Sequence, residues 1–251
     1  LSSFITSPPI DAYTKLLLHM DDTGLTDSSG SSQSVTLGND VSRSSVASKF
    51  GGYSMRHVDG SAAQARLTVG IPSLSSGSWT IDGWFRFDDV TTTQKCLIAG
   101  SSDFYFGILY SYGGSNKIDV MLGNGTSWNI TGNPPSPTGT KTSWSNDTWY
   151  HLALVFDGST YKTYIDGVLD NTFTSSANIG SITSAYLGVW GNNTHFYAWK
   201  GYMDEWRVSQ GVARWTSNFT PPVGAYGSTV ANATGTAIST ANTALTSPTT
   251  G

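Results

Sequence analysis

Glutamate is nearly missing from this 251-residue chain: Glu205 is the only one, and charged residues of both signs amount to 12%, about half the usual quarter. Gly, Ser, Thr and Asn take their place, so the surface is one of hydroxyls and amides. With 13 basic against 17 acidic residues the net charge is −4. No Lys/Arg cluster occurs, which argues against nucleic acid, a partner that calls for concentrated positive charge. Cys96 is the only cysteine, so no intrachain disulfide can form, a pattern compatible with assembly in a reducing cytosol. No run of 18 or more apolar residues exists and the residues from Leu1 do not read as a signal peptide, so membrane insertion is not expected. No window of helical periodicity long enough to trust precedes residue 226.

What is there in quantity is strand pattern. Trp149 to Phe156 runs into Asp157-Gly158, Tyr161 to Ile165 ends at Asp166-Gly167, and Val168 to Phe173 follows. Asp-Gly readily takes the positive φ angles of a tight hairpin, so the three runs predict an antiparallel meander. The first run is apolar on both faces: Trp149, His151, Ala153 and Val155 on one side, Tyr150, Leu152, Leu154 and Phe156 on the other. Such a strand must be covered twice, which places it mid-sheet with a further layer above. Ser78 to Phe87 alternates strongly and predicts a second central strand. Lys95–Ala99, Phe104–Tyr110 and Lys117–Leu122 follow at intervals typical of a sandwich. Further strands are expected at 15–20, 35–41, 46–50, near 56–58, and at 185–190, 196–199 and 201–209.

The organisation expected is an N-terminal linker (1–13), one all-β domain (14–223) and a tail (224–251). Residues 124–146 form a long Pro/Gly/Ser-rich loop carrying Trp128 and Trp144, and long loops are either functional or disordered. The tail is almost wholly Ala, Thr, Ser, Asn and Gly and cannot bury much alone. Its apolar residues, Val230, Ala233, Ala237, Ala241, Ala244 and Leu245, recur three or four apart, a seam suited to several chains coming together.

Four stretches, LLLHMDD, SWTIDGWFRF, WYHLALVFDGSTYKTYIDG and GYMDEWRVSQGVARW, resemble in order and spacing the laminin-G-like, concanavalin-A-like jelly-roll domains. The resemblance spans about residues 13 to 222. It implies a two-sheet antiparallel jelly-roll sandwich, often glycan-binding. The tail composition, with the missing disulfides, also resembles bacteriophage virion proteins displayed on fibres, tails or capsids.

Glycosidases of this architecture use two facing carboxylates, Glu residues alternating on one strand; with Glu205 alone and no alternating Asp pair, hydrolysis is the last of the readings. Related domains often hold Ca²⁺ near the sheet rim, and the matching positions are Asp21, Asp22 and Asp204; these acids can equally cap turns or pair with Arg207. Glycan recognition needs aromatic faces beside amides. The candidates are Trp128, Asn129 and Trp144 in the long loop, and Trp190, Asn192, Asn193, His195, Tyr197 and Trp199 in the later one, with core packing as the alternative. Trp79, Trp84, Trp149 and Trp206 read as core, and Cys96 as a buried inert thiol. The expectation is a non-enzymatic lectin-like domain on a virion surface, or outside a bacterium. It would be homo-oligomeric and would bind host cell-surface glycan beside other virion subunits. A purely structural decoration or fibre protein is the competing reading.

Overall fold

The Asp-Gly meander is where the fold is set. A computed structural model of the protein describes residues 9–23, 25–58, 66–91, 94–190 and 197–227. In it the strands Trp149–Phe156 (β10), Thr160–Ile165 (β11) and Val168–Thr174 (β12) pair antiparallel in sequence order. The second turn has positive φ at both Asp166 (52°) and Gly167 (76°), the geometry that matches the twist of a hairpin. In the first turn Asp157 Oδ1 accepts the backbone N–H groups of Ser159 and Thr160.

Upstream of the meander lie Thr14–Leu18 (β1), Val35–Leu37 (β2), Val41–Ser44 (β3), Ser54–His57 (β4), Leu67–Gly70 (β5), Trp79–Phe87 (β6), Lys95–Gly100 (β7), Phe106–Tyr110 (β8) and Ile118–Leu122 (β9). Ser184–Leu187 (β13) and Gly201–Gln210 (β14) complete the set. No α-helix occurs among the described residues; one 3₁₀ turn spans Tyr112–Gly114. The eight-stranded sheet A runs β12-β11-β10-β6-β14-β4-β3, with β1 also paired to β14; the six-stranded sheet B runs β2-β5-β13-β7-β8-β9. β5 has no counterpart in the sequence reading, and neither 46–50 nor 197–199 is a strand.

Every pairing is antiparallel, and the two sheets face each other as a jelly-roll sandwich. Alternate residues point inward: Trp79, Ile81 and Phe85 of β6 with Leu152, Leu154 and Phe156 of β10 meet Leu67, Val69, Phe106, Ile108 and Leu187 of sheet B in one core. Where β14 bulges between Asp204 and Arg207, Trp206 turns inward onto Gly83. A Cβ at residue 83 would stand 2.6 Å from the indole, so only glycine fits.

The expectation that β10 is covered on both faces holds, but the outer cover is not a sheet. Residues 211–227 cross the outside of sheet A, packing Ala213, Trp215 and Phe219 on Ala153, Val155 and Tyr164. Tyr226 ends this segment and is 2% exposed. Its phenol donates to Asp82 and its N–H to Glu205 Oε2 at 2.8 Å. The folded unit therefore extends beyond the boundary at 223, and Asp11, bonded to Arg214 at 2.8 Å, ties part of the expected N-terminal linker to it. The tail from 228, with its apolar seam, lies outside the described residues.

Candidate functional site

Strand β8 presents Phe106, Ile108 and Tyr110 to the core, so Gly107 and Leu109 face outward from sheet B. The absent side chain at 107 is filled by Trp190: a Cβ there would stand 1.9 Å from the indole. Trp128 leans on Trp190 with ring centroids 5.3 Å apart, and Phe104 on Trp128 at 5.4 Å. The result is a row of three aromatic rings with Trp128 in the middle. Phe104 is 39% exposed, Trp128 and Trp190 are half-buried, and Asn129 beside them is exposed.

Local backbone bonds hold this row. The chain leaving β9 turns back so that Ile130 and Thr131 donate to the Leu122 carbonyl and Thr131 Oγ1 accepts the Leu122 N–H. Asn124 Oδ1 collects Thr126 N, Thr126 Oγ1 and Ser127 N, a local turn. Gly125 N donates to the Phe104 carbonyl at 2.8 Å, knitting the segment carrying Phe104 to the one carrying Trp128. Gly123 must be glycine because a Cβ would stand 2.1 Å from the Ser127 carbonyl.

The other end of β8 carries a second, smaller group. Tyr112 and Tyr197 meet edge-on with centroids 6.3 Å apart, and Tyr112 Oη donates to Asn133 Oδ1 at 2.8 Å. Asp119, 1% exposed, accepts Tyr112 N and Ser115 Oγ. Burial raises its pKa above the usual carboxylate value.

A sequence profile of the concanavalin A-like lectin/glucanases superfamily, of the laminin G type, matches residues 59–216, more than half of the chain. The chain belongs to this superfamily. Its fold is similar to domain 4 of AbnA, a GH43 extracellular arabinanase from Geobacillus stearothermophilus, solved in complex with arabinotriose. That likeness has 19% identity and a TM-score of 0.54, covering 82% of this chain and 94% of that one. It is also similar to the binding domain of botulinum neurotoxin serotype C1 (13% identity, TM-score 0.59, 80% of this chain and 49% of that). The serotype D ligand-binding domain, solved with N-acetylneuraminic acid, is a third (10% identity, TM-score 0.56, 83% and 48%). The chain spans about half the length of these toxin domains, and at such identities the likeness is one of fold. No curated protein matches the chain.

Within this laminin-G-like sandwich the residues expected to bind glycan do not form one group. Trp128 and Trp190 come together, with exposed Asn129 next to Trp128 in the chain. Tyr197 lies at the opposite end of β8. Trp199 is a correction: it is 0% exposed and packs on Phe85 and Phe87, because the loop before β14 is bonded to the Gly188 carbonyl and turns this side chain into the core. Trp144 plugs the sandwich, its ring against Phe85, Phe87, Tyr110 and Tyr150 and its Nε1 donating to the Asn116 carbonyl. Asn192, Asn193 and His195 lie outside the described residues. Phe104 and Gly107 were not singled out from sequence; an aromatic just before a strand whose outward position is glycine is the signal that would have found them.

The three acids suggested for calcium do not converge. Asp21 Oδ1 accepts Tyr53 N, Asp22 Oδ2 accepts Thr26 N and Oγ1, and Asp204 Oδ2 accepts Lys49 N and Phe50 N. Among the described residues no group of three or more acids, histidines or cysteines gathers as a cation would require, and Ca²⁺ takes six to eight oxygens. Glu205 is likewise committed, accepting Tyr226 N and bonding His19 Nδ1 at 2.7 Å while 1% exposed. Cys96 is buried, and burial pushes its thiol well above its ordinary pKa.

Proposed function

We propose that this is a non-catalytic glycan-binding domain, and that the row Phe104–Trp128–Trp190 with Asn129 is where the sugar lies. The observation that carries the reading is the seat of Trp190 on Gly107. An outward-facing strand position has no side chain, and the space holds an aromatic ring that extends a partly exposed surface. Sugar C–H faces stack on such rings while amides take the hydroxyls. Superfamily membership supports the reading, as do the AbnA domain and the serotype D domain, both solved with saccharides. We further propose that the domain is displayed on a phage particle and recognises host surface polysaccharide. The Ala/Thr/Ser/Asn-rich stretch after residue 227 and the single cysteine support that setting, and several copies would multiply weak sites.

The test is binding of the purified protein to a panel of bacterial surface polysaccharides, read by calorimetry and tryptophan fluorescence. Binding that weakens by about tenfold or more in Trp128→Ala, the worth of roughly one aromatic contact, supports the reading. Retention of no polysaccharide, or binding unchanged in Trp128→Ala and Trp190→Ala, overturns it in favour of a subunit contact made by the same rings.

A further inference from the structure

Six arginines occur in the chain, and five of them have an oxygen acceptor. Arg56 pairs with Asp88, Arg86 with Asp147, Arg207 with Asp82 and Arg214 with Asp11, and Arg43 donates to the Asp21 carbonyl. Arg66 is different. Its side chain has no hydrogen bond or ion pair among the described residues, and its Nη1 is buried without a partner. Its guanidinium stacks on the Tyr186 ring, 4.4 Å from the centroid. Buried Nη1 is out of reach of a ligand, but Nε and Nη2, which have no hydrogen bond either, are not buried, and a donor fork held flat on an aromatic ring with these two N–H edges open is suited to an oxygen brought from outside.

Register places this pair on the same surface as the aromatic row. Ala185 and Leu187 of β13 are in the core, so Tyr186 faces outward. It is paired with Ala99 of β7, which is paired with Gly107 of β8, the seat of Trp190. Tyr186 and Gly107 are therefore separated by two strand spacings, roughly 10 Å, with only the methyl of Ala99 between them. A disaccharide covers such a span.

We infer that Arg66 on Tyr186 is an anion subsite of the glycan-binding face, taking a carboxylate or phosphate substituent of a sugar chain that runs across the strands from Trp190. The inference rests on the glycan reading above. It assigns acidic polysaccharides as the preferred class. Nothing comparable exists in the segments that build the aromatic row, 101–107, 123–132 and 188–190, which hold Asp103 and no Lys or Arg.

The experiment compares one bound polysaccharide in native form, after carbodiimide–borohydride reduction of its carboxylates, and after removal of its phosphates. Wild-type protein and Arg66→Gln are used, with Arg66→Lys as a variant that keeps the charge. Glucuronate and inorganic phosphate are also titrated alone while the Arg66 Nε–H signal is followed by NMR. The expected result is about tenfold weaker binding once the anion is removed or in Arg66→Gln, no further loss when both changes are made, and weakening at high salt. The arm that loses affinity identifies carboxylate or phosphate. Equal affinity for native and neutralised chains, with binding still lost in Trp128→Ala, overturns the anion subsite and leaves the glycan site standing. No binding of any chain, but an Arg66 signal that shifts with glucuronate or phosphate, keeps the subsite and removes the aromatic reading. No binding and no shift overturns both. Because neutralising the ligand alters no residue, misfolding of a variant does not obscure the result.

Discussion

The two outer faces of the sandwich are built from the same kinds of residue and treated oppositely. On sheet A, aromatic and charged side chains are sealed under residues 211–227, and the buried charges Asp82 and Arg207 are paired with each other. Asp82 receives the Arg207 guanidinium at 3.0 and 3.2 Å and the Tyr226 phenol. Burial would raise its pKa, but Arg207 and then His151 outweigh that and hold it at about 2. On sheet B, Phe104, Trp128 and Trp190 are left half-covered and Arg66 is left without an acceptor. Full burial under a covering segment is the signature of a structural face, whereas rings left partly exposed are what a recognition surface requires. A jelly roll has two outer faces, and here one holds the C-terminal segment while the other leaves its aromatic row partly exposed.

The largest expected effect tests the sealed face. Asp82→Ala leaves Arg207, 1% exposed, as an uncompensated buried charge, and such breakage costs about 3–5 kcal/mol. Urea denaturation should show a loss of this size, while the fraction that remains folded binds glycan like the wild type. A loss within about 0.5 kcal/mol, ordinary for a surface site, would mean that the network does not hold sheet A shut.

Of comparable size is a pH effect on the same face. Burial first, then the nearby Glu205 and Asp21 charges, raise the Asp204 pKa from 3.8 to about 8, against the two backbone N–H groups it accepts. A raised carboxylate is ionised in the unfolded chain before it is in the folded one. Its contribution is therefore most favourable below pH 3.8 and is lost as pH rises toward 8, by about 1.4 kcal/mol per pH unit. Asp204→Asn keeps an acceptor oxygen for Lys49 and Phe50 and removes the titration. Its stability relative to wild type should climb between about pH 5 and about pH 8 and level off above. His151 works in the opposite direction: burial lowers its pKa from 6.5, so the stability it permits is present above that value and lost as pH falls below it. An Asp204→Asn variant whose stability runs parallel to wild type over the range would show that the carboxylate is ionised in the fold.

Tyr226→Phe should cost less, about 1–3 kcal/mol, the price of leaving a buried acceptor on Asp82 short of one donor. Its ring would still stack under Arg207, whose guanidinium lies 4.0 Å from the centroid. Equal melting of the variant and wild type would remove Tyr226 from the seal.

Much of this contrast was legible from the sequence on the core side and little of it on the outer side. Asp-Gly turns and a strand apolar on both faces state their geometry locally, which is why β10 to β12 and the central β6 could be read directly. Which tryptophan stays outside is a long-range matter. Trp199 and Trp190 sit in similar Gly/Asn/aromatic surroundings, yet one is drawn between the sheets where β14 begins and the other is seated on a glycine of β8, eighty-odd residues earlier. The cover of sheet A was hidden for a related reason: residues 211–227 have no strand or helix periodicity, and their burial depends on Ala153, Val155 and Tyr164 being left bare by β10 and β11.

The smallest expected effect on stability is also the sharpest test of the comparison. Trp128 contacts Phe104 and Trp190 and is half-buried. Removing its ring in Trp128→Ala forfeits those two contacts at about 0.5–1.5 kcal/mol each at most, and part of that is recovered because the neighbouring rings can shift toward solvent. Denaturation should move little while glycan affinity falls. A stability loss as large as that of Asp82→Ala would mean that the aromatic row is a second piece of core, closed by side chains as sheet A is closed by chain. The molecule would then have two structural faces, and recognition would have to be sought at the ends of the sandwich.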